Sequence, residues 1–109
     1  MRALQNAYQE SDDAALANLA GVELQHDLHL SIRDWTAWVS VSDRLAAVGA
    51  DVHALQLARG DGGFHVRCRL KKVSAQSART LFNDLLDAGI AQGGNIEHLM
   101  LVKNAGGAQ

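Results

Sequence analysis

The chain has 109 residues and a formal net charge of −2, from 12 acidic and 10 basic side chains. This length suits a single domain with one hydrophobic core. The charge balance argues against a general nucleic-acid-binding protein, which usually carries a clear excess of Lys and Arg. No apolar run approaches the roughly 20 residues of a membrane-spanning helix, and residues 1–10 lack the apolar stretch of a secretory signal.

A single cysteine, Cys68, excludes an internal disulfide bond. Together with the lack of a secretory signal, this predicts a cytoplasmic protein. Cys68 falls on an inward-facing position of a predicted strand, which indicates a small core side chain rather than a reactive thiol.

Residues 1–21 form the first of three predicted regions. The segment is rich in Ala and Leu, Ser11 and the two acids after it suit a helix start, and Gly21 suits a helix end. We predict an added helix or arm here, which caps the sheet edge, swaps between protomers or stays mobile. The other regions are a domain over 22–103 and a small polar tail over 104–109 that frays.

The segment from 22 to 32 has a period of two. One set of alternate side chains is mainly apolar and the other polar: Val22, Leu24, His26, Leu28, Leu30 and Ile32 against Glu23, Gln25, Asp27, His29 and Ser31. This alternation is typical of a strand with one buried and one solvated face. His26 is therefore expected to be buried and hydrogen-bonded.

Two helices follow capping residues, Asp34 before a helix over 35–48 and Ser74 before a helix over 75–88. The other elements are strands over 52–58, 64–73 and 96–102, a hairpin turn at 60–63 and a loop at 89–95. The facing of the last strand stays open between two sets, Ile96, Met100 and Val102 or Leu99 and Leu101. The order βαββαβ predicts an α+β, ferredoxin-like fold, with a four-stranded antiparallel sheet and two helices on one face.

On the solvated face, Glu23 and Asp27 are expected to lie opposite Arg67, Arg69 and Lys71. We predict a solvated, charge-paired surface in which each pair contributes well under about 1 kcal/mol.

The residues from 45 to 59, the glycine turn after them and the helix start at 73–79 resemble the ACT-domain family, small amino-acid-sensing modules of βαββαβ fold. The resemblance covers residues 24–102, and the chain is similar to stand-alone ACT proteins and to the small regulatory subunits of acetolactate synthase. It implies a homodimer or higher oligomer with sheets joined side by side, an amino-acid effector, a possible larger enzyme as partner, and no catalysis.

In that family an amino acid binds where the loop after the first strand of one protomer meets the second strand of the other. The resemblance places the ligand site of this chain at Arg33, Asp34, Trp35, Thr36 and Ala37, facing His53 and Leu55. A helix N-terminus attracts a carboxylate, and Asp34 suits an ammonium group. The loop departs from the family pattern because it has no glycine and two tryptophans, Trp35 and Trp38, which are typical of core or interface anchors.

Other functional classes find less support. His29, His65 and His98 are a conceivable zinc set on the solvated face, but scattered surface histidines are the commoner explanation, so we predict no metal site. No spacing suggests a nucleophile and its base, so neither a catalytic residue nor a cofactor is predicted. Two alternatives remain: an assembly domain of the secretion-machinery type, and a dimeric α+β barrel enzyme. The barrel needs an apolar outer face on its sheet, and the charged residues on this face argue against it.

Overall fold

The computed structural model describes residues 3–103, which contain five strands, three α-helices and one 3₁₀ turn. These are β1 (Ala3–Ala7), a 3₁₀ turn (Glu10–Asp12), α1 (Asp13–Ala17), β2 (Val22–Ile32), α2 (Trp35–Ala47), β3 (Asp51–Gly60), β4 (Gly63–Lys71), α3 (Ala75–Asp87) and β5 (Ala91–Lys103). The strands form one antiparallel sheet in the order β1-β5-β2-β4-β3. The predicted α+β class is confirmed, and β2 to β5 keep the predicted order of strands and helices.

The sheet has five strands, so the prediction of four is wrong. Residues 3–7, expected in an added helix or arm, form β1 and pair with β5, with Leu4 opposite Val102 and Ala7 opposite Leu99. Because β5 would otherwise end the sheet with unpaired N–H and C=O groups, pairing outweighs the helical composition of this segment. Of the three roles left open for the N-terminal region, the structure places it at the sheet edge. Residues 104–109, predicted to fray, lie outside the described residues.

Strand β5 begins at Ala91, within the segment 89–95 that was predicted to be a loop. Gly93 and Gly94 pair with Ser31 and Leu30 of β2. The two glycines were interpreted as a loop signal, yet in a sheet interior glycine also marks a close approach of two backbones. Gly94 has that role, because a Cβ there would lie 1.9 Å from the carbonyl oxygen of His29.

Both predicted helix caps are present. The Ala37 N–H donates to Asp34 Oδ1 at 3.0 Å, and the Ser77 N–H donates to Ser74 Oγ at 3.0 Å. The helices then pack one face of the sheet, and the core consists of Leu28, Leu30, Ile32, Val41, Leu45, Val66, Cys68, Leu70, Leu81, Phe82, Leu85 and Ala91. Within residues 3–103 no helix packs on the opposite face of the sheet, which is called the open face below.

Strand β3 is the second edge of the sheet and is the most exposed strand. Leu55 points toward the helix side, opposite Cys68, but it is 42% exposed. Val52 is 40% exposed, and Trp35 on α2 is 54% exposed. Leu55 therefore points in the predicted direction, but its side chain stays accessible because β3 lies at the sheet edge.

Candidate functional site

The loop between β2 and α2 borders a small crevice with a volume of about 210 Å³. Its lining comprises Arg33, Asp34, Thr36, Ala37, Ser40, Gly89 and Ile90. Four of the five loop residues named from the sequence are thus brought together, and the turn after α3 closes the other side. Such a volume is below the usual range of about 300–1,000 Å³ for ligand pockets, so the crevice by itself suits a small molecule or part of a larger one.

Arg33 and Asp34 give the crevice a cation beside a carboxylate. When the Gln92 amide oxygen faces Arg33, it accepts from Nε at 2.9 Å and from Nη2 at 3.0 Å, which orients the guanidinium. Asp34 uses Oδ1 to cap α2. Sequence reasoning missed Gln92, because it was assigned to a loop whose register against β2 was unknown.

The fifth loop residue, Trp35, turns away from the crevice. Its indole packs edge-on against the Phe64 ring, with the centroids 6.3 Å apart and the planes at 70°. Arg59 of β3 lies over the same Phe64 ring, with its guanidinium carbon 5.7 Å from the centroid. Trp35 therefore joins the start of α2 to the start of β4, while half of its surface stays accessible.

His53 and Leu55 do not meet this loop within one chain. Phe64 pairs with both Ile32 and Arg59, so the loop after β2 is level with Arg59 on β3. His53 lies six residues before Arg59, roughly 20 Å along the strand at about 3.3 Å per residue. The predicted site is complete only if another chain supplies these two residues.

The open face carries a compact ion cluster centred on Asp27. Arg67 Nη2 donates to Oδ2 at 2.8 Å and Arg69 Nε donates to Oδ1 at 2.8 Å. The predicted cross-strand pairing of Asp27 with these arginines is confirmed, as is the pair Lys71–Glu23 at 3.3 Å. The expectation of a solvated carboxylate is wrong, because Asp27 is 0% exposed beneath the two guanidinium groups.

A broad groove of about 750 Å³ lies beside this cluster on the open face. Its polar lining includes His29, Ser31, Gln56, His65, Arg67 and Asn95. Ser31 Oγ and His65 Nδ1 are 3.2 Å apart, and His29 Nε2 is 2.9 Å from Glu97 Oε1. These polar and charged groups make the open face unlike the apolar surface that a face-to-face barrel dimer needs.

Asp27, His29 and Glu97 have ligand atoms within 4.8 Å of one another. Both oxygens of Asp27 already accept from guanidinium groups, whose positive charge also opposes a metal ion. We therefore interpret Asp27, His29 and Glu97 as part of the ion-pair surface rather than as a metal site.

His98 does not lie with His29 and His65 on the solvated face, as the conceivable zinc set would need. His98 pairs with His26 in the register of β5 and β2, and the two Nδ1 atoms are 2.9 Å apart on the helix side of the sheet. His26 is buried and hydrogen-bonded, as predicted. The sequence predicted neither the partner of His98 nor the face of the sheet on which it lies, because it left two possible orientations open for the last strand.

The only cysteine, Cys68, is fully buried in the core. Burial raises the pKa of its thiol to about 12, so the thiolate is scarce at neutral pH and the side chain acts as a small core residue.

No protein-family model and no curated protein matches this sequence. Among solved structures, the chain is similar to one described as "De novo designed protein Ferredog-Diesel", with 11% sequence identity and a TM-score of 0.44. The match covers 73% of this chain and 86% of that chain. A similarity of this size bears on neither function nor partners. Across residues 3–103, none of the helices has the length and apolar character needed to cross a membrane.

Proposed function

We propose that the protein is a cytoplasmic ligand-sensing module that binds an amino acid, or a related small zwitterion, in the crevice at the start of α2. The proposal includes a homodimer, a possible larger enzyme as regulated partner, and no catalysis by this chain. It also includes a ferredoxin-like βαββαβ unit made of β2 to β5 with α2 and α3, to which β1 is an addition. The observation that carries it is the convergence of Arg33, Asp34, Thr36 and Ala37 on one crevice.

The chemistry of the crevice fits a zwitterion. The α-carboxylate of an amino acid would pair with the Arg33 guanidinium and the positive end of α2, and its ammonium group with the free oxygen of Asp34. Because the two side chains are neighbours in sequence, both charges of one small ligand are within reach. The volume of about 210 Å³ favours small amino acids unless a partner chain extends the pocket.

Ligand binding is tested by following tryptophan fluorescence during titration with each of the twenty amino acids. Trp35 and Trp38 do not line the crevice, but they are sequence neighbours of its residues Thr36 and Ala37 at the start of α2, so we expect a bound ligand to change their emission. We expect a saturable response to one or a few amino acids and at least about tenfold weaker binding for Arg33→Gln, which loses a charge-assisted contact. Arg44→Gln, a change of the same type later on α2, should bind normally. Equal affinity in both variants would exclude this crevice.

The dimer is proposed to form through β3, which has 10 residues and is the longer of the two edge strands in residues 3–103. An antiparallel pairing of β3 with a second copy about Leu55 sets the two copies of Leu55, each 42% exposed in a single chain, opposite each other. The same register sets the partner's His53 opposite Leu57, two residues from Arg59 and so near the level of the crevice loop.

The dimer is tested by sedimentation or light scattering over a dilution series. Leu55→Lys places two ammonium groups on the two-fold axis, so we expect the dimer dissociation constant to rise at least about a hundredfold. Leu19→Lys changes another exposed leucine, away from β3, and should leave the constant unchanged. A monomeric parent protein would refute the arrangement.

An assembly domain is the second candidate, and the exposed edge of β3 favours it because such an edge accepts a strand from another protein. A stable dimer with no amino-acid response would favour this candidate over the sensor.

A further inference from the structure

Two buried histidines face each other across β2 and β5. His26 and His98 are 0% and 6% exposed, their Nδ1 atoms are 2.9 Å apart, and the ring centroids are 5.1 Å apart. His26 Nε2 lies 3.0 Å from the carbonyl oxygen of Val73, and His98 Nε2 lies 3.2 Å from Glu10 Oε1. The pair therefore links the sheet, the start of α3 and the N-terminal segment.

The N-terminal segment is held at this point by several contacts. The Tyr8 N–H donates to the His98 carbonyl at 3.0 Å, and the Tyr8 ring lies 5.6 Å from the His98 ring. Asp13 accepts from the Tyr8 hydroxyl with Oδ1 and from the Ala75 N–H at 3.1 Å with Oδ2, which ties α1 to the start of α3. Arg79 Nε donates to Glu10 Oε1 at 3.1 Å. The histidine pair lies beneath these contacts.

The hydrogen-bond partners of the two imidazole rings determine which ring nitrogens carry protons. The Val73 carbonyl can only accept, so His26 carries its proton on Nε2 and its Nδ1 accepts. Only one proton fits between two nitrogen atoms 2.9 Å apart, so it belongs to His98 Nδ1. The Glu10 carboxylate can also only accept, so His98 Nε2 donates to it, and in this arrangement His98 is the charged ring and His26 the neutral one. A further proton on His26 would place two N–H groups and two positive rings against each other in a buried site.

We propose that the His26–His98 pair is a proton-operated latch, which holds residues 3–17 against the sheet while one proton is shared and releases them when both rings are charged. The charged and titratable groups that face the pair are Glu10 and Asp13 from the N-terminal segment, Tyr8 beside them and Arg79 from α3. Asp27 is the neighbour of His26 on β2 but lies on the open face, so it acts only through its charge. The carboxylates temper the repulsion, but none lies between the two Nδ1 atoms.

The direction of the effect follows from burial. Burial, followed by the charge of His98, lowers the pKa of His26 below that of a free histidine. A group with a lowered folded-state pKa contributes stability above its unfolded pKa, about 6.5 for histidine, and loses it as the pH falls through the folded value. Acidification therefore opens the latch and leaves the outer edge of β5 without its partner strand.

The test follows amide hydrogen exchange residue by residue at about pH 7.5 and about pH 5, corrected for intrinsic exchange rates. We expect β1 amides and the Tyr8 amide to lose at least about tenfold in protection at the lower pH, while β2 amides opposite β4 keep theirs. Tyr8 is the only tyrosine of the chain, so a ring-labelled tyrosine gives one resonance that reports the same release.

His98→Gln removes the second titrating ring, and the protection of β1 should then be independent of pH in this interval. His29→Gln, a matched change on the open face, should keep the parent response. If His98→Gln fails to fold, the nitrogen chemical shifts of the imidazole rings in the parent protein test the proposal instead. The latch requires a neutral His26 with its proton on Nε2 at neutral pH. Loss of β1 protection together with the whole sheet, no loss, or two rings that titrate independently would each overturn the proposal.

Discussion

Alanine at position 94 is expected to destabilise the protein by about 3 kcal/mol or more, whereas alanine at position 93 should cost less than about 1 kcal/mol. Gly94 has φ 151°, and a Cβ there would lie 1.9 Å from the carbonyl oxygen of His29 and 3.2 Å from Cα of Leu30. Both atoms are backbone of the central strand β2. They cannot retreat without breaking the β2–β5 pairing.

Gly93 is the matched control, because a Cβ there meets nothing within 4 Å. Its replacement removes backbone freedom from the unfolded chain, which offsets part of any loss in the folded state. Urea unfolding of both variants, followed by tryptophan fluorescence, measures the difference. Equal losses for the two variants would mean that β5 does not approach β2 as closely at this point as the structure has it.

The two halves of the β-sheet differ in how well the sequence predicts them. Strand β2 shows strict alternation, and both helices begin after a capping side chain, so their starts at Trp35 and Ala75 were predicted correctly. β5 begins with Ala91, Gln92, Gly93 and Gly94, which show no clear alternation and were interpreted as a loop. Local sequence patterns carry no information on which backbone approaches a glycine. Here the close approach of β2 to Gly94 is what makes this segment a strand rather than a loop.

The N-terminal strand illustrates a different limit. Residues 3–7 have helical composition, and a strand of five residues is too short for a clear period of two. Their conformation depends on the vacant edge of β5, which is almost a hundred residues distant in sequence. The facing of β5 has the same cause, because its register against β2 sets Ile96 opposite Leu28 and Met100 opposite Leu24.

The candidate crevice was predictable in part for a physical reason. A loop, its cap and the first helical turn are contiguous, so Arg33, Asp34, Thr36 and Ala37 come together without any long-range information. The wall formed by Gly89 and Ile90 and the partner Gln92 come from the far end of the chain, and only the sheet topology brings them there. His53 and Leu55 need a further step, the pairing of two chains.

Asp27→Asn is expected to lower the free energy of unfolding by about 2–3 kcal/mol at neutral pH. The carboxylate is fully buried and accepts four hydrogen bonds from Arg67 and Arg69. An amide in its place turns one acceptor into a donor that faces guanidinium donors. The loss stays below that of an ion pair sealed in a core, because the side chain of Arg67 is 44% exposed and can turn to water.

The loss of unfolding free energy caused by Asp27→Asn should depend on pH in a defined direction. Burial alone raises the pKa of Asp27, but the hydrogen bonds from Arg69 and Arg67 outweigh burial and hold the pKa below its ordinary value. The carboxylate therefore contributes stability above the unfolded pKa, about 3.9, and loses it as the pH falls through the folded value. The gap in unfolding free energy between parent and Asp27→Asn should be constant near neutrality and narrow below about pH 4.

Urea unfolding at a series of pH values measures this gap. Asp61→Asn, a change of the same type at an exposed position of the hairpin turn, controls for the general loss of one negative charge. Its gap from the parent should stay within about 0.5 kcal/mol throughout. A gap for Asp27→Asn that is equally small would mean that the two arginines gain as much from water as from the buried carboxylate, and that the cluster orders the open face without stabilising the fold.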